Sequence, residues 1–551
     1  MTSTTAFDAQ KTILSPEYRA DVVRRLTQGA EYDLIVVGGG VTGCGVALDA
    51  ITRGLKVLLV EGQDLAFGTS RWSSKLAHGG LRYLATGNVG IARRSAVERG
   101  LLMETIAPHL TRALPQVVAM DGFSPQKFIP RLGFIAGDIL RMAARTSSTT
   151  LPRSRTISSS QVKKLCPAAA DSTKFGFVNY DGQLIDDARL VTALARTFAG
   201  YGGDVLTHAK ASIKPGREQG KKVVSVELSP EIPLGSTSGE NTPGEPLQVR
   251  AAGVINATGV WAGQLEKDVT VTPSRGTHLV VDAEKLGNPT GALTVAVPGS
   301  SSRFCFILPV QLGRCYIGIT DDSAEFSDVP QAPESDIRWI LDVINAGLQT
   351  SLTEDDVLGA FAGLRPLVQV KAPKSDSTST ADLSREHLIL HRDGVVTVTG
   401  GKLTEYRLMA QQTVDEALRD KEISSSLDAQ AGPCVTKQVS LVGASADRSP
   451  RAAGQINLAH SVTRALPASL VNRYGAEAAN VLAACTLPDG SEKVADLDIT
   501  RAEFAYAVSH EGALTVGDIL DRRTRIGLVA ADRAAAEETA REVLSAAGLL
   551  S

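Results

Sequence analysis

Within Thr69–Leu84 the chain gathers four hydroxyls (Thr69, Ser70, Ser73, Ser74), a lysine (Lys75), a Gly79-Gly80 pair, and an arginine followed by a phenol (Arg82, Tyr83). Hydroxyls and uncovered backbone N–H groups suit the oxygens and ring nitrogens of a polar planar ligand. A guanidinium holds a phosphate or carboxylate through two parallel hydrogen bonds. The block begins shortly after a complete dinucleotide-binding signature. It therefore predicts something anionic and planar that continues past a pyrophosphate, with cations at its far end. That is the layout of a flavin site with a charged substrate. Two more cations lie in glycine-flanked motifs, Arg365 in Gly363-Leu364-Arg365-Pro366-Leu367 and Lys402 in Gly400-Gly401-Lys402-Leu403-Thr404.

These side chains need elements to position them. Tyr32–Val37 is a short Val/Ile-rich run, predicted as a buried parallel strand. Gly38, Gly40 and Gly43 then fill the G-x-G-x-x-G pattern. The first glycine makes the tight turn, the second lets the backbone approach a pyrophosphate, and the third lets helix and strand pack closely. The spacing predicts a helix over 40–53, its N-terminal N–H groups facing phosphates and Gly54 ending it. Lys56–Val60 reads as the second strand. Glu61 at its end is placed to accept hydrogen bonds from ribose hydroxyls.

NAD and FAD share this signature. Two later units favour FAD. Gly253–Gly259 reads as a strand running into Ala257-Thr258-Gly259 and then Trp261, small residues that let the backbone pass near a bound cofactor. Val395–Val398 reads as another strand, followed by Gly400-Gly401-Lys402 and a helix containing Tyr406 and Arg407. A helix N-terminus with Lys402 beside it stabilises negative charge on a reduced flavin ring. Three strand-turn-helix units arranged around one ligand fit an extended FAD better than NAD. His78, Gly79, Gly80, Leu81, Gly401, Leu403 and Thr404 join Ser70, Ser73, Ser74 and Lys75 as expected cofactor contacts.

Composition excludes several classes. The 551 residues are 43% hydrophobic and 21% charged, with net charge −3, so no global basic field argues for nucleic acid. The six cysteines form no C-x-x-C pair, and no metal site is expected. The first thirty residues lack the apolar core of a secretion signal, and Ser15-Pro16 reads as the cap and first turn of a short helix through Arg25. No apolar run is long enough to span a membrane, which leaves surface attachment open.

With these blocks in order, from about Tyr32 to the C-terminus, the chain resembles the FAD-dependent glycerol-3-phosphate dehydrogenases, a branch of the D-amino-acid-oxidase-like flavoproteins. The most specific blocks are Ser73–Leu84, Gly363–Leu367 and Gly400–Thr404. Asp186–Leu190 and Gly276–Val280 also fit. Arg71 and Val260 depart from residues common in the family, serine and proline, without removing a group the chemistry needs. No calcium-binding loop of EF-hand form is present. The resemblance implies an α/β chain: a Rossmann-like FAD-binding domain, an inserted α+β substrate or cap domain, and a C-terminal mainly helical domain. It also implies oxidation of glycerol 3-phosphate to dihydroxyacetone phosphate by hydride transfer from C2 to flavin N5. Arg82, Arg365 and Lys402 are then the phosphate ligands and Tyr83 an added donor. His278, ahead of an apolar strand, is the expected base; the alternative is a histidine that shapes the pocket without taking the proton. Thr320 and Asp321, after the strand Tyr316–Ile319, line the same cavity or form a strand-end turn. Asp186 reads as the cap of a helix beginning at Asp187. The remaining histidines (His109, His208, His387, His391, His460, His510) are assigned structural roles.

The expected organisation is an N-terminal helical extension (1–30), a discontinuous FAD domain (31–430) with cap segments near 111–165 and 264–370, and a helical C-terminal domain (431–551), one role of which is contact with a sister subunit in a homodimer. Residues 235–248 and 372–384 read as polar surface loops. Reduced flavin must pass electrons on, and membrane-attached family members give them to a quinone. Residues 126–164 carry eight Lys/Arg, a single acid (Asp138) and interleaved apolar side chains, which suits anionic headgroups on the inner face of the cell membrane. The expected location is therefore cytoplasmic and peripheral. An oxidase using dioxygen, a related amine or amino-acid oxidoreductase, and a flavin-binding sensor without turnover are the competing readings.

Overall fold

Two sheets meet at the site. The computed structural model describes residues 6–85, 87–122, 129–233, 245–300, 303–369, 386–444 and 466–550. The 372–384 loop, most of the 235–248 loop, Lys127, Phe128 and His460, together with the Arg82 side chain, lie outside the described residues.

The first sheet is built on Glu31–Val37, which is buried over nearly its whole length, as its Val/Ile-rich sequence predicts. It pairs in parallel with Val57–Val60 on one side and Leu247–Asn256 on the other. Leu247–Asn256 pairs in parallel with Val395–Gly400. Register puts Val37 beside Asn256 and Val60, and Asn256 beside Thr397. Three turns far apart in sequence therefore leave one sheet edge side by side. That edge, at the carboxyl ends of parallel strands, is where α/β sheets bind ligands. The helices Val41–Thr52, Asp187–Gly200 and Tyr406–Arg419 share one core with that sheet. Gly45 allows Tyr406 to approach: a Cβ there would lie 2.9 Å from its ring.

The second sheet has ten strands among the described residues. Its two longest, Thr270–Asp282 and Val357–Gln369, pair antiparallel, with Ser274 opposite Arg365, Gly276 opposite Gly363 and His278 opposite Phe361. Side chains alternate faces along a strand. Leu279 and Val281 point into the core under the helix Glu334–Asn345, while Val280 and Phe361 point the other way. His278 therefore stands within a strand, not ahead of one; Gly276 and Thr277 hide the strand's start from an apolar-run reading. The sheet also takes in Leu76–Ala77 and Phe175–Leu184, outside the expected cap segments. Gly176, Asp181 and Gly182 break the apolar alternation that would have marked the latter.

The C-terminal part is helical (Ala468–Tyr474, Ala478–Ala483, Arg501–Glu511, Ala530–Ala546) with cores of its own. It docks on the helix Asp187–Gly200 and on Asp64 through ion pairs: Arg189 with Glu511, Arg196 with Glu477, and Arg522 and Arg523 with Asp64. Among the described residues no helix is long and apolar enough to cross a membrane.

Candidate active site

The turn after the first strand is shaped for close approach. Gly38 has φ +114°, and a Cβ there would lie 2.5 Å from the Ala257 carbonyl oxygen. A Cβ on Gly43 would fall on the Gly38 carbonyl. The helix N-terminus that follows is ordered by Ser70, whose Oγ accepts from Val41 N–H at 2.9 Å. Glu61 accepts from Gly39 N–H at 2.6 Å and Gln63 N–H at 2.8 Å. Burial pushes the Glu61 carboxyl up, and these two donors oppose the shift. The Ala257–Trp261 turn is locked to the neighbouring strand, because Thr399 Oγ1 donates to Gly259 O at 2.9 Å. Thr258 Oγ1 donates to Asn256, and the Trp261 ring lies over Gly68 with its Nε1 donating to Asp328. A glycine cradle, a helix N-terminus and a carboxylate at the second strand end fit the pyrophosphate and ribose of FAD.

The Ser70–Lys75 loop is tied inward. Ser73 donates from N and Oγ to Asp187 at 3.0 and 2.7 Å. Lys75 takes a left-handed conformation (φ +58°), is 1% exposed, and pairs with Asp187 at 2.9 Å. Its ammonium also donates to Arg71 O, and its own N and O are bonded to Ser73 Oγ and Leu184 N. The expected Lys75 cofactor contact is corrected accordingly: an ammonium this buried needs a carboxylate, and Asp187 supplies it. Ser74 Oγ lies 2.9 Å from His278 Nε2. The imidazole is fully buried, and His278 Nδ1 has no hydrogen-bond partner among the described residues. Burial first, then the nearby Lys75 and Arg365 charges, hold His278 well below its usual value, so it is neutral at working pH.

Arg365 is aimed from the adjacent strand. Asp321 pairs with its Nη1 at 3.1 Å, Thr320 O accepts from its Nη2 at 3.2 Å, and Gly276 leaves room for the guanidinium. The Thr320 hydroxyl itself accepts from Thr277 N–H and donates to Asp336, on the helix-covered side. Of the two roles expected for it, these bonds match the strand-end one. Gly400 and Gly401 both take positive φ and lead Lys402 onto the single turn Leu403–Glu405, where Thr404 is buried. Lys402 Nζ stands 3.7 Å over the Tyr83 ring and bonds Ser95 and Glu405 at 3.1 and 3.2 Å. Gly80 (φ +80°) lets the chain turn against Ala92, placing Leu81 and Tyr83 on the helix Leu81–Ala85.

His78 Nδ1 lies 3.3 Å from Asp181, which also accepts from Gly79 N–H and Arg99. Burial raises the Asp181 carboxyl, but Arg99 and His78 outweigh it and hold it low. Asp186 caps its helix as expected, accepting from Ala188 and Arg189 N–H. The sequence reading did not single out Asp187, Phe361, Trp72, Asp181 or Glu405. Glu405 carried a local signal, three residues after Lys402, and Asp187 lay in the Asp186–Leu190 block without a partner assigned to it.

Comparison with known proteins agrees with this geometry. Residues 33–407 match the FAD dependent oxidoreductase family, and 434–548 match the C-terminal domain of alpha-glycerophosphate oxidase. The chain is 49% identical over 539 residues to glycerol-3-phosphate dehydrogenase 1 of Mycobacterium tuberculosis, covering 97% of this chain and 98% of that protein. Its fold matches the glycerol-3-phosphate dehydrogenase of Bacillus halodurans complexed with FAD, at 25% identity and TM-score 0.67, over 97% of this chain and 94% of that one. It also matches the L-alpha-glycerophosphate oxidase of Mycoplasma pneumoniae with FAD bound, at 20% identity and TM-score 0.53, over 75% and 99%.

Proposed function

We propose, for a chain that belongs to the FAD-dependent glycerol-3-phosphate dehydrogenase family, that it oxidises sn-glycerol 3-phosphate to dihydroxyacetone phosphate and passes the electrons to a membrane quinone. FAD is the cofactor, and when bound it supplies at N5 the acceptor for the hydride leaving substrate C2. The protein's own groups supply the rest. Arg365, held by Asp321, and Lys402, held by Glu405 over Tyr83, grip the phosphate together with Arg82. Their carboxylates fix each cation in place before substrate arrives, which reduces the ordering cost of binding.

One observation carries the reading: a buried neutral histidine and a carboxylate-aimed arginine on one face of a two-strand ladder. A neutral imidazole can accept the C2 hydroxyl proton. Phosphate arriving at Arg365 cancels one of the charges that depress His278, so the base strengthens when substrate binds. The lowered pKa favours the neutral imidazole, the form that can serve as a base.

The quinone rests on a separate feature. The helix Ile129–Ala143 leaves Ile129, Leu132 and Ile139 more than half exposed (64%, 66% and 58%). Arg145, Arg153 and Arg155 are exposed beside it. A basic rim around an exposed apolar face fits an anionic bilayer surface, where a quinone is dissolved. Arg131 and Arg141 do not join the rim, being bonded to Ser154 and Thr146.

The test is anaerobic addition of glycerol 3-phosphate while the flavin absorbance is followed. Bleaching is expected; an oxidised spectrum at saturating substrate refutes the reading. Arg365→Ala should mainly raise the half-saturating concentration and His278→Ala should mainly slow bleaching. The competing reading, with dioxygen as the acceptor, would show itself as stoichiometric hydrogen peroxide in air.

A further inference from the structure

Behind the candidate base lies a stack of side chains that ends in the other domain. His278 lies on Phe361, with ring centroids 4.9 Å apart and 16° between planes. Phe361 lies on Trp72, at 5.7 Å and 28°. Two guanidiniums flank Trp72: Arg71, 4.2 Å from the ring centroid, and Arg525, 5.2 Å from it. Arg525 belongs to the C-terminal domain. It is almost completely buried and takes a left-handed backbone conformation, φ +64°. That conformation is unfavourable for an arginine, so packing around it must fix it.

Its hydrogen bonds run to the loop that touches His278. Arg525 Nη2 donates to Arg71 O at 2.8 Å, the same carbonyl that takes the Lys75 ammonium at 2.9 Å. Its Nε stands 3.4 Å from Asp186 Oδ2. The residues that follow press on the same strand. The Leu528 carbonyl occupies the space a Gly359 side chain would need, and Val529 packs with Phe361, Tyr316 and Val280. Two domains thus clamp the Arg71–Lys75 loop, and Ser74 in that loop holds His278 Nε2.

We propose that Arg525 is a positioning residue for proton transfer: the C-terminal domain uses it to hold Arg71–Ser74 and Trp72 so that His278 keeps its place and its dry surroundings. The proposal rests on the reading that His278 accepts the substrate proton. The charged and titratable groups facing this stack are Arg71, Lys75 with Asp187, Arg365 with Asp321, Arg525 with Asp186, and the Tyr316 phenol. A guanidinium suits the position because its plane can lie along the indole while its edge donates to the carbonyl.

The experiment compares wild type, Arg525→Gln, Arg525→Lys and His278→Ala as FAD-loaded full chains. The anaerobic bleaching rate at saturating glycerol 3-phosphate is followed from pH 8 down to about 5.5, a window spanning the ordinary histidine range. Wild type should stay flat over that window. In Arg525→Gln the limiting rate should fall tenfold or more, on the order of what a small misplacement costs, with little change in half-saturation. Water reaching a loosened His278 raises its pKa back toward the ordinary histidine range, so a falling acid limb should enter the window. Arg525→Lys keeps the charge and one donor and should fold even if the glutamine variant does not; its limb should lie between the two. The proposal is overturned if the variants that fold keep a flat profile, whatever happens to their melting temperatures. Wild type that does not bleach, or His278→Ala that bleaches at the wild-type rate, defeats the underlying reading instead.

Discussion

The His278 and Phe361 rings stack face to face across one register pair of two neighbouring strands. The pairing sets the ring plane of the imidazole, and Ser74 sets its Nε2. Both constraints come from the protein's own side chains, so the orientation exists before any ligand binds.

That burial has a sign in stability. The folded His278 pKa is lowered, so below the unfolded value of about 6.5 the unfolded chain takes up a proton that the folded chain does not. Its contribution to stability is present above that value and is lost as pH falls through the window toward the folded pKa, by up to about 1.4 kcal/mol per pH unit. His109, also buried and pushed down to about 3, adds loss of the same sign. The thermal midpoint should therefore drop between pH 7 and pH 5.5, and His278→Asn should drop less than wild type over the same interval. An equal or larger drop in the variant contradicts the assignment.

Gly38→Ala should remove the cofactor. A methyl there would meet the Ala257 carbonyl at 2.5 Å, and φ +114° is outside what an L side chain tolerates. Relieving that clash moves the turn away from the pyrophosphate. The purified variant should be colourless and require at least about a hundredfold more FAD for half-maximal loading, roughly 2.7 kcal/mol. Wild-type flavin content in this variant would show that the turn does not approach the cofactor.

Much of the glycine-turn end of the first sheet was legible in sequence because each part of it is local. The turn needs glycines, the helix needs an N-terminus, and the acid sits at the next strand end; all three lie within one βαβ unit. That the Ala257 and Gly400 turns join it was also readable, since strand-turn-glycine repeats at a shared sheet edge. What escaped were partnerships across long separations. Lys75 reads as a ligand-facing cation, but Asp187 lies far along the chain and has no motif linking the two. Phe361 and Trp72 look like ordinary core aromatics. Arg525 has no local signal at all, since its role depends on how one domain sits against another.

Domain docking gives a third expectation. Asp64 is fully buried and receives both Arg522 and Arg523, at 2.6 and 2.7 Å. Asp64→Asn leaves two buried guanidiniums with half their compensation, a loss of about 3–5 kcal/mol by analogy with broken buried pairs. The melting transition should fall by several degrees or split in two, with the C-terminal domain releasing first. Arg338→Ala, which breaks only exposed pairs with Glu334 and Glu354, should leave the transition where it was. If Asp64→Asn behaves like Arg338→Ala, these buried pairs do not hold the domains together.

The Ile129–Ala143 helix offers the last test, because its two faces can be changed separately. Phe134 and Leu140 point inward and are buried, whereas Leu132 and Ile139 point out. Leu132→Glu with Ile139→Glu places two acids on the outward face without touching the packed one. Wild type should sediment with vesicles containing anionic lipid at low salt and release at high salt, since headgroup attraction is screened over about 10 Å at 0.1 M ionic strength. The double variant should stay in the supernatant at both salts and still bleach with glycerol 3-phosphate at the wild-type rate. Quinone reduction in proteoliposomes should then fall while reduction of a soluble dye does not. If the double variant sediments as wild type does, the membrane contact lies elsewhere; if dye reduction falls with quinone reduction, the helix serves the flavin site instead.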